Sequence, residues 1–275
     1  MGRLIVVGSL NIDTVLAVAH HPAPGETVLS HNSQTSWGGK GANQAVAAAR
    51  ASKSAGSLAQ VLLIGRVGDD DEGRGYRAHL EALGVDVSGL RSTPGARTGS
   101  AVVVVSETGE NTVIVSAGAN AFLGVDDLPP VDGLYPDDVI VVTLEVPLPV
   151  VVRVSEQAAA SGARFVLNLS PVVELPDVVV RRANPIVVNE GEAKQLAARY
   201  EALDSVLITR GAEGSEWQGR VVSARRDIEV IDTTGAGDAY CGTLALRLAL
   251  GDEPGAAMAA ATAAAASAVG RSGAQ

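Results

Sequence analysis

Six short apolar runs, each closed by a polar residue or a glycine, constrain this chain more than any other feature. They are RLIVVGS (3–9), AQVLLIGRVG (59–68), DVIVVTLE (138–145), ARFVLNLS (163–170), PIVVNE (185–190) and SVLITRG (205–211). Their length and β-branched content predict strands buried on both faces, as in parallel sheets. Helix-like stretches separate several of them, namely GANQAVAAARAS (41–52), DEGRGYRAHLEALG (71–84) and LPVVVRVSEQAAASG (148–162). Such alternation implies right-handed βαβ crossovers and a three-layer α/β/α body around a mostly parallel central sheet. The alanine-rich stretch 256–269 is too short for a membrane span and reads as a buried helix.

Two segments break this rhythm, at about 14–37 and 98–120. In the second, SETGEN supplies turn residues between two β-branched runs, which predicts a hairpin. Together the two imply a small β-sheet standing as a lid over one end of the body, the whole of 1–275 forming one domain. The net charge of −10, with acids scattered along the chain, argues against nucleic-acid or membrane-surface binding. An anionic ligand must then be held locally. One cysteine, Cys241, excludes an intrachain disulfide, and the opening MGRLIVVGSLNID lacks the regions of a signal peptide, so a cytoplasmic address is expected.

In open α/β sheets, ligands bind at the carboxyl ends of the strands, and here those ends carry polar residues. In DTTGAGD (232–238) the glycines at 235 and 237 permit a tight turn and leave amides unpaired at a helix start, a ready anion hole. Asp238 in that turn can take a proton from a hydroxyl, or it can simply favour the helix dipole. WGGKGANQA (37–45) combines close-approach glycines with Lys40 and Asn43, and is not a P-loop. Asn11 and Asp13 in SLNID can fork hydrogen bonds onto neighbouring hydroxyls or form a turn. Asn189 and Glu192 in NEGE can orient water around Mg²⁺ or cap a helix. TRGAEG (209–214) suits a nucleotide's approach or an ordinary hairpin. The four histidines show no metal-ligand spacing, no serine-hydrolase elbow is present, and no G-x-G-x-x-G follows the first strand.

The order of these motifs resembles the ribokinase branch of the PfkB-type carbohydrate kinases: GSLNID, PAPGET, GGKGANQA, GDD, GEN, AGAN, LE, NEGE, TRG, DTTGAGD and a final GAQ. The resemblance implies an ATP-dependent kinase acting on ribose, with fructose, 2-deoxyribose or adenosine as alternative acceptors and a catalytically weak sugar-binding protein as the other class. It implies that Asn11, Asp13, Gly39, Lys40, Asn43 and Glu145 hold the sugar, and that Asp238 is the base. Gly235, Ala236 and Gly237 would form the anion hole. Asn189 and Glu192 would serve the Mg²⁺ and phosphate side, and Thr209 and Gly211 would meet the nucleotide. Asp232 and Thr234 would help hold a monovalent cation, K⁺ in such kinases. A homodimer through the lid sheet is a further implication. The chain departs from the family in the short AKQLAARYEALDSV connection and after SGAQ, where the cation loop and nucleotide cover are expected to differ.

Overall fold

A computed structural model describes residues 2–225, 228–271 and 273–275. The chain begins with β1 (Leu4–Val7), β2 (Asn11–Val18), β3 (Asn32–Gly38), α1 (Lys40–Ser54), β4 (Val61–Gly68) and α2 (Asp71–Ala82). It continues through β5 (Leu90–Thr93), β6 (Gly99–Ser106), β7 (Asn111–Ser116), β8 (Val139–Thr143), α3 (Leu148–Ser161), β9 (Arg164–Asn168) and α4 (Asp177–Arg182). Then come β10 (Ile186–Asn189), α5 (Glu190–Arg199), β11 (Val206–Thr209), β12 (Ser215–Trp217), β13 (Arg220–Val222), α6 (Ala236–Ala249) and α7 (Pro254–Val269).

The large sheet runs in the order β13-β12-β11-β10-β9-β8-β1-β4-β5, parallel except for the β12 and β13 hairpin at one edge. Alternation along β1 shows how its two faces are covered. Leu4 and Val6 pack with Val46 of α1, Leu80 of α2, Leu244 of α6 and Met258 of α7, while Ile5 and Val7 face Val154 of α3, Val180 of α4 and Leu196 of α5. This is the three-layer body the apolar runs imply, and each of the six runs contains one strand of it. The stretch 256–269 is helical but only one face is covered, by Ala257, Met258, Ala261, Thr262 and Ala268. The expectation of a buried helix is corrected: alanine makes every face equally apolar, so composition could not show that one side of α7 stays uncovered.

The second sheet, in the order β3-β2-β6-β7, is separate from the first and is the small sheet expected as a lid. β2 pairs in parallel with β6, and the outer pairings are antiparallel. SLNID is therefore not a turn, since Asn11 and Asp13 lie within β2, which departs from β1 after only Gly8, Ser9 and Leu10. The lid is also bonded to the body at its base. The Thr98 N–H and hydroxyl donate to Asp70 at 2.8 and 2.6 Å, and the Asn120 amide donates to the Leu10 carbonyl and Asn11 Oδ1 at 3.0 and 2.8 Å.

Helix α1 can lie close to α6 because its facing residues are small. A Cβ on Gly242 would sit 2.1 Å from the Gln44 carbonyl oxygen. Gly242→Ala is expected to cost about 1–3 kcal/mol by overpacking and to lower the melting temperature by several degrees. Gly124→Ala, where a Cβ would meet nothing nearer than 3.9 Å, should leave it unchanged.

Candidate active site

The first turn of α6 carries the acid on which the site centres. Gly235 caps it with φ of 76°, a left-handed conformation in which other residues are strained. Ala236, Gly237 and Asp238 follow, in the part of a helix where amides have no intrahelical acceptor. Asp238 is nonetheless buried. Its Oδ2 accepts from Asn43 Nδ2 and its Oδ1 from Gln44 Nε2, both at 3.0 Å. Burial pushes its carboxyl above the usual range, Lys40 and the two amides pull the other way, and Glu145 adds to the rise. The result is a base more proton-hungry than an exposed aspartate.

Asp13 lies in the same field. Its Oδ1 is buried without a hydrogen-bond partner, and its carboxylate packs so tightly on Gly38 that a Cβ there would come within 1.9 Å of Oδ2. Burial, then Glu145 and Asp238, push its pKa up to about 6. Glu145, just past the end of β8, accepts from the Ser9 hydroxyl and, at 3.2 Å, from the Lys40 backbone N–H. Gly39, with φ of 87°, lets the chain turn from β3 into α1 directly against Asn11 and Leu10. The Lys40 ammonium is pushed down by burial but raised on balance by Asp238, Glu145 and Glu192. Three acids and one cation thus converge where β1, β2, β8, α1 and α6 meet.

On the other side, Asn189 caps α5: its Oδ1 accepts from the Glu192 N–H and Glu192 Oε2 accepts from the Asn189 N–H, each at 2.8 Å. The capping alternative is therefore realised, while the field of Glu192 still reaches Lys40. Thr209 ends β11 with its hydroxyl 3.3 Å from the Val188 carbonyl, and Gly211 begins a short 3₁₀ turn leading into β12, so TRGAEG is also a hairpin junction. Asp232 accepts from the N–H groups of Thr234 and Gly273 at 2.8 and 2.9 Å; partial burial opposes these bonds, yet they hold its carboxyl below the usual range.

Several contributors were not singled out from the sequence: Gln44, Ser9, Tyr76 and Gln275. Gln44 is fully buried in an alanine-rich helix, and a buried amide in such a setting is a signal in itself. Gln275 Nε2 donates to Asn43 Oδ1 at 2.9 Å and to the Tyr76 hydroxyl at 2.8 Å, and Tyr76 in turn donates to the Gly38 carbonyl. Trp37 of the lid lies against this group, its ring 4.8 Å from that of Tyr76 and stacked at 5.1 Å on that of His79, both on α2. Cys241 is buried with its thiol pushed up by burial, in keeping with a core role. Among the described residues no His, Cys, Asp and Glu cluster could by itself hold a metal ion, and no helix is long and apolar enough to cross a membrane.

A family model described as pfkB family carbohydrate kinase matches residues 1–275. Staphylococcus aureus ribokinase is 32% identical over 268 residues, covering 90% of this chain and 86% of that protein. The bifunctional ribokinase/ribose-5-phosphate isomerase A of Fructilactobacillus sanfranciscensis is 32% identical over 269 residues; the match covers 90% of this chain but about half, 49%, of that longer protein. Among solved structures, the ribokinase of Thermotoga maritima superposes with a TM-score of 0.87 at 28% identity, covering 100% of this chain and 95% of that one. The Arabidopsis thaliana ribokinase complexed with ribose and ATP gives 0.86 at 27%, covering 99% and 94%.

Proposed function

The chain belongs to the pfkB family of carbohydrate kinases, and from that premise we propose that it transfers the γ-phosphoryl group of ATP to the 5-hydroxyl of D-ribose. It is a sugar kinase, and kinases of this family use ATP, with which Mg²⁺ is bound. The observation that carries the sugar reading is the buried, unpartnered carboxylate oxygen of Asp13, set beside Glu145 and Asp238. Such an oxygen calls for hydroxyl donors. Vicinal hydroxyls donating to Asp13, with Asn11, Gly39, Lys40, Asn43 and Glu145 around them, would present the remaining hydroxyl to Asp238.

Asp238 takes the hydroxyl proton as the sugar oxygen bonds to the γ-phosphorus. The bond from that phosphorus to the β,γ-bridging oxygen breaks, and ADP leaves with the electron pair. The transition state is loose, so alignment and charge stabilisation dominate. The amides of Gly235 and Gly237 and the helix dipole of α6 would face the charge developing on the phosphoryl oxygens, and that of Ala236 would join them on leaving the Thr233 carbonyl, to which it donates at 3.3 Å. Mg²⁺ bound with ATP would supply the remaining charge neutralisation; Asn189 and Glu192 would lie toward it, and Thr209 and Gly211 would line the nucleotide. The oxygens of Asp232 and Thr234 are a hard donor set that fits a monovalent cation such as K⁺, and the ionised Asp232 supplies a charge for it to balance.

We assign the whole of 1–275 to one kinase domain working in the cytoplasm, with the lid excluding water from the phosphoryl group. A second copy meeting it lid to lid would cover Val113, Ile114 and Val115 of β7, which are more than half exposed at 52, 64 and 56%. The test is ATP-dependent phosphorylation of ribose, 2-deoxyribose, fructose and adenosine with Mg²⁺, with and without K⁺. The highest kcat/KM is expected for ribose, with stimulation by K⁺. A preference for fructose or adenosine would overturn the ribose reading, and indifference to K⁺ the cation assignment.

A further inference from the structure

Residues 273–275 touch three parts of the site in succession. The Gly273 N–H donates to Asp232 Oδ2 at 2.9 Å. Ala274 packs on Gly235 so closely that a Cβ there would lie 2.6 Å from the Ala274 methyl. The Gln275 amide reaches α1 and α2, bonded to Asn43, Tyr76 and, through its Oε1 at 3.0 Å, to His79 Nε2.

The direction of each hydrogen bond in this chain is fixed from its ends. The single hydroxyl proton of Tyr76 goes to the Gly38 carbonyl, so toward Gln275 the hydroxyl acts as acceptor. That requires the NH₂ of Gln275 to face Tyr76, and the same NH₂ then meets Asn43 Oδ1. Asn43 is left with its own NH₂ toward Asp238, whose ionised carboxylate can only accept. We propose that Gln275 is a positioning residue: it holds the Asn43 amide in the orientation that donates to Asp238, and the 273–275 segment thereby ties the 232–235 turn to the base. This rests on the kinase reading for its consequence in catalysis, but not for its geometry. Besides Asn43 and Gln44, the groups facing Asp238 are Lys40 of α1, Asp13 of β2, Glu145 after β8, Tyr76 of α2 and Cys241 of α6 itself.

The deciding variant is Gln275→Glu in the full chain. A carboxylate at that position cannot donate, so it competes with Asp238 for the Asn43 NH₂ and favours the inverted amide. The Asp238 carboxyl, followed by ¹³C NMR titration, is expected to titrate about one pH unit higher than in the parent protein, the loss of one hydrogen bond to a charged group. The acid limb of the kcat profile should move with it, kcat on that limb should fall about tenfold, and the sugar KM should change much less. In an Asn43→Ala background the shift caused by Gln275→Glu should largely vanish, since its carrier is gone. A shift fully retained there would mean a direct charge effect, and no shift in the parent background would mean no coupling; either overturns the proposal. Should Gln275→Glu fail to fold, Gln275→Met, neutral and of similar size, should give a smaller rise of the same sign, and none would again overturn it. If the parent protein phosphorylates no sugar, the kinase reading fails while the titration still decides the role of Gln275.

Discussion

Asp238→Asn is expected to lower kcat by about 10²–10⁴-fold, the range contributed by a positioned general base, with little change in the sugar KM. The fold should survive, because the substitution removes a buried negative charge that desolvation and Glu145 already disfavour. One of the two oxygens becomes an NH₂, which then faces an amide donor. Gln44 can answer by turning, since its Oε1 is buried without a partner and would accept from the new NH₂. Steady-state kinetics with the preferred sugar, paired with a thermal melt, checks both halves. Near-normal turnover in a folded Asp238→Asn protein would remove the base from the mechanism.

The second large effect concerns Asp13, and it runs in opposite directions for binding and stability. Asp13→Asn is expected to raise the sugar Kd by about 10²-fold, since hydrogen bonds to a charged acceptor are worth roughly 1.5–3 kcal/mol each. The ligand-free protein should become more stable. Its Asp13 has a pKa of about 6, well above that of the unfolded chain, so the folded state holds the proton more tightly. Below about pH 4 the group is protonated in both states and costs nothing; stability then falls as pH rises toward 6, by on the order of 2–3 kcal/mol, and stays lower above it. The asparagine variant escapes that cost and should melt a few degrees higher at pH 7–8 but not at pH 4. For the parent protein, hydroxyls that donate to the ionised carboxylate lower its pKa, so sugar affinity should strengthen up to about pH 6 and level off. Calorimetry across that range reads both; an affinity for sugar that is flat from pH 5 to 8 would sink the assignment.

What could be read from the residues was whatever depends on local pattern. Continuous β-branched runs located β1, β4, β8, β9, β10 and β11, because a strand covered on both faces has no polar alternation to confuse it. The turn chemistry of SETGEN located β6 and β7. Position within the fold was less accessible. The pair Asn11 and Asp13 looks like a turn because short polar side chains favour turns, and only pairing with β3 and β6 makes it part of a strand. Asn189 and Glu192 have the spacing of a capping box and of a ligand pair alike, and nothing local separates the two. Gln44 and Gln275 stand far apart in sequence, and their relation to Asp238 arises only when α1 and α6 pack together. The short strands β5, β12 and β13 take their conformation from the sheet edges they extend, not from strong patterns of their own.

The stacking of Trp37 on His79 has a practical consequence. Of the two tryptophans, Trp217 is sealed in the body with 1% of its surface exposed, whereas Trp37 belongs to the lid and rests on a helix of the body. Any separation of lid from body must unstack Trp37 and wet its indole while Trp217 keeps its surroundings. The molecule therefore carries its own optical gauge: the position of its emission maximum reports lid opening against a constant internal reference, without any attached dye.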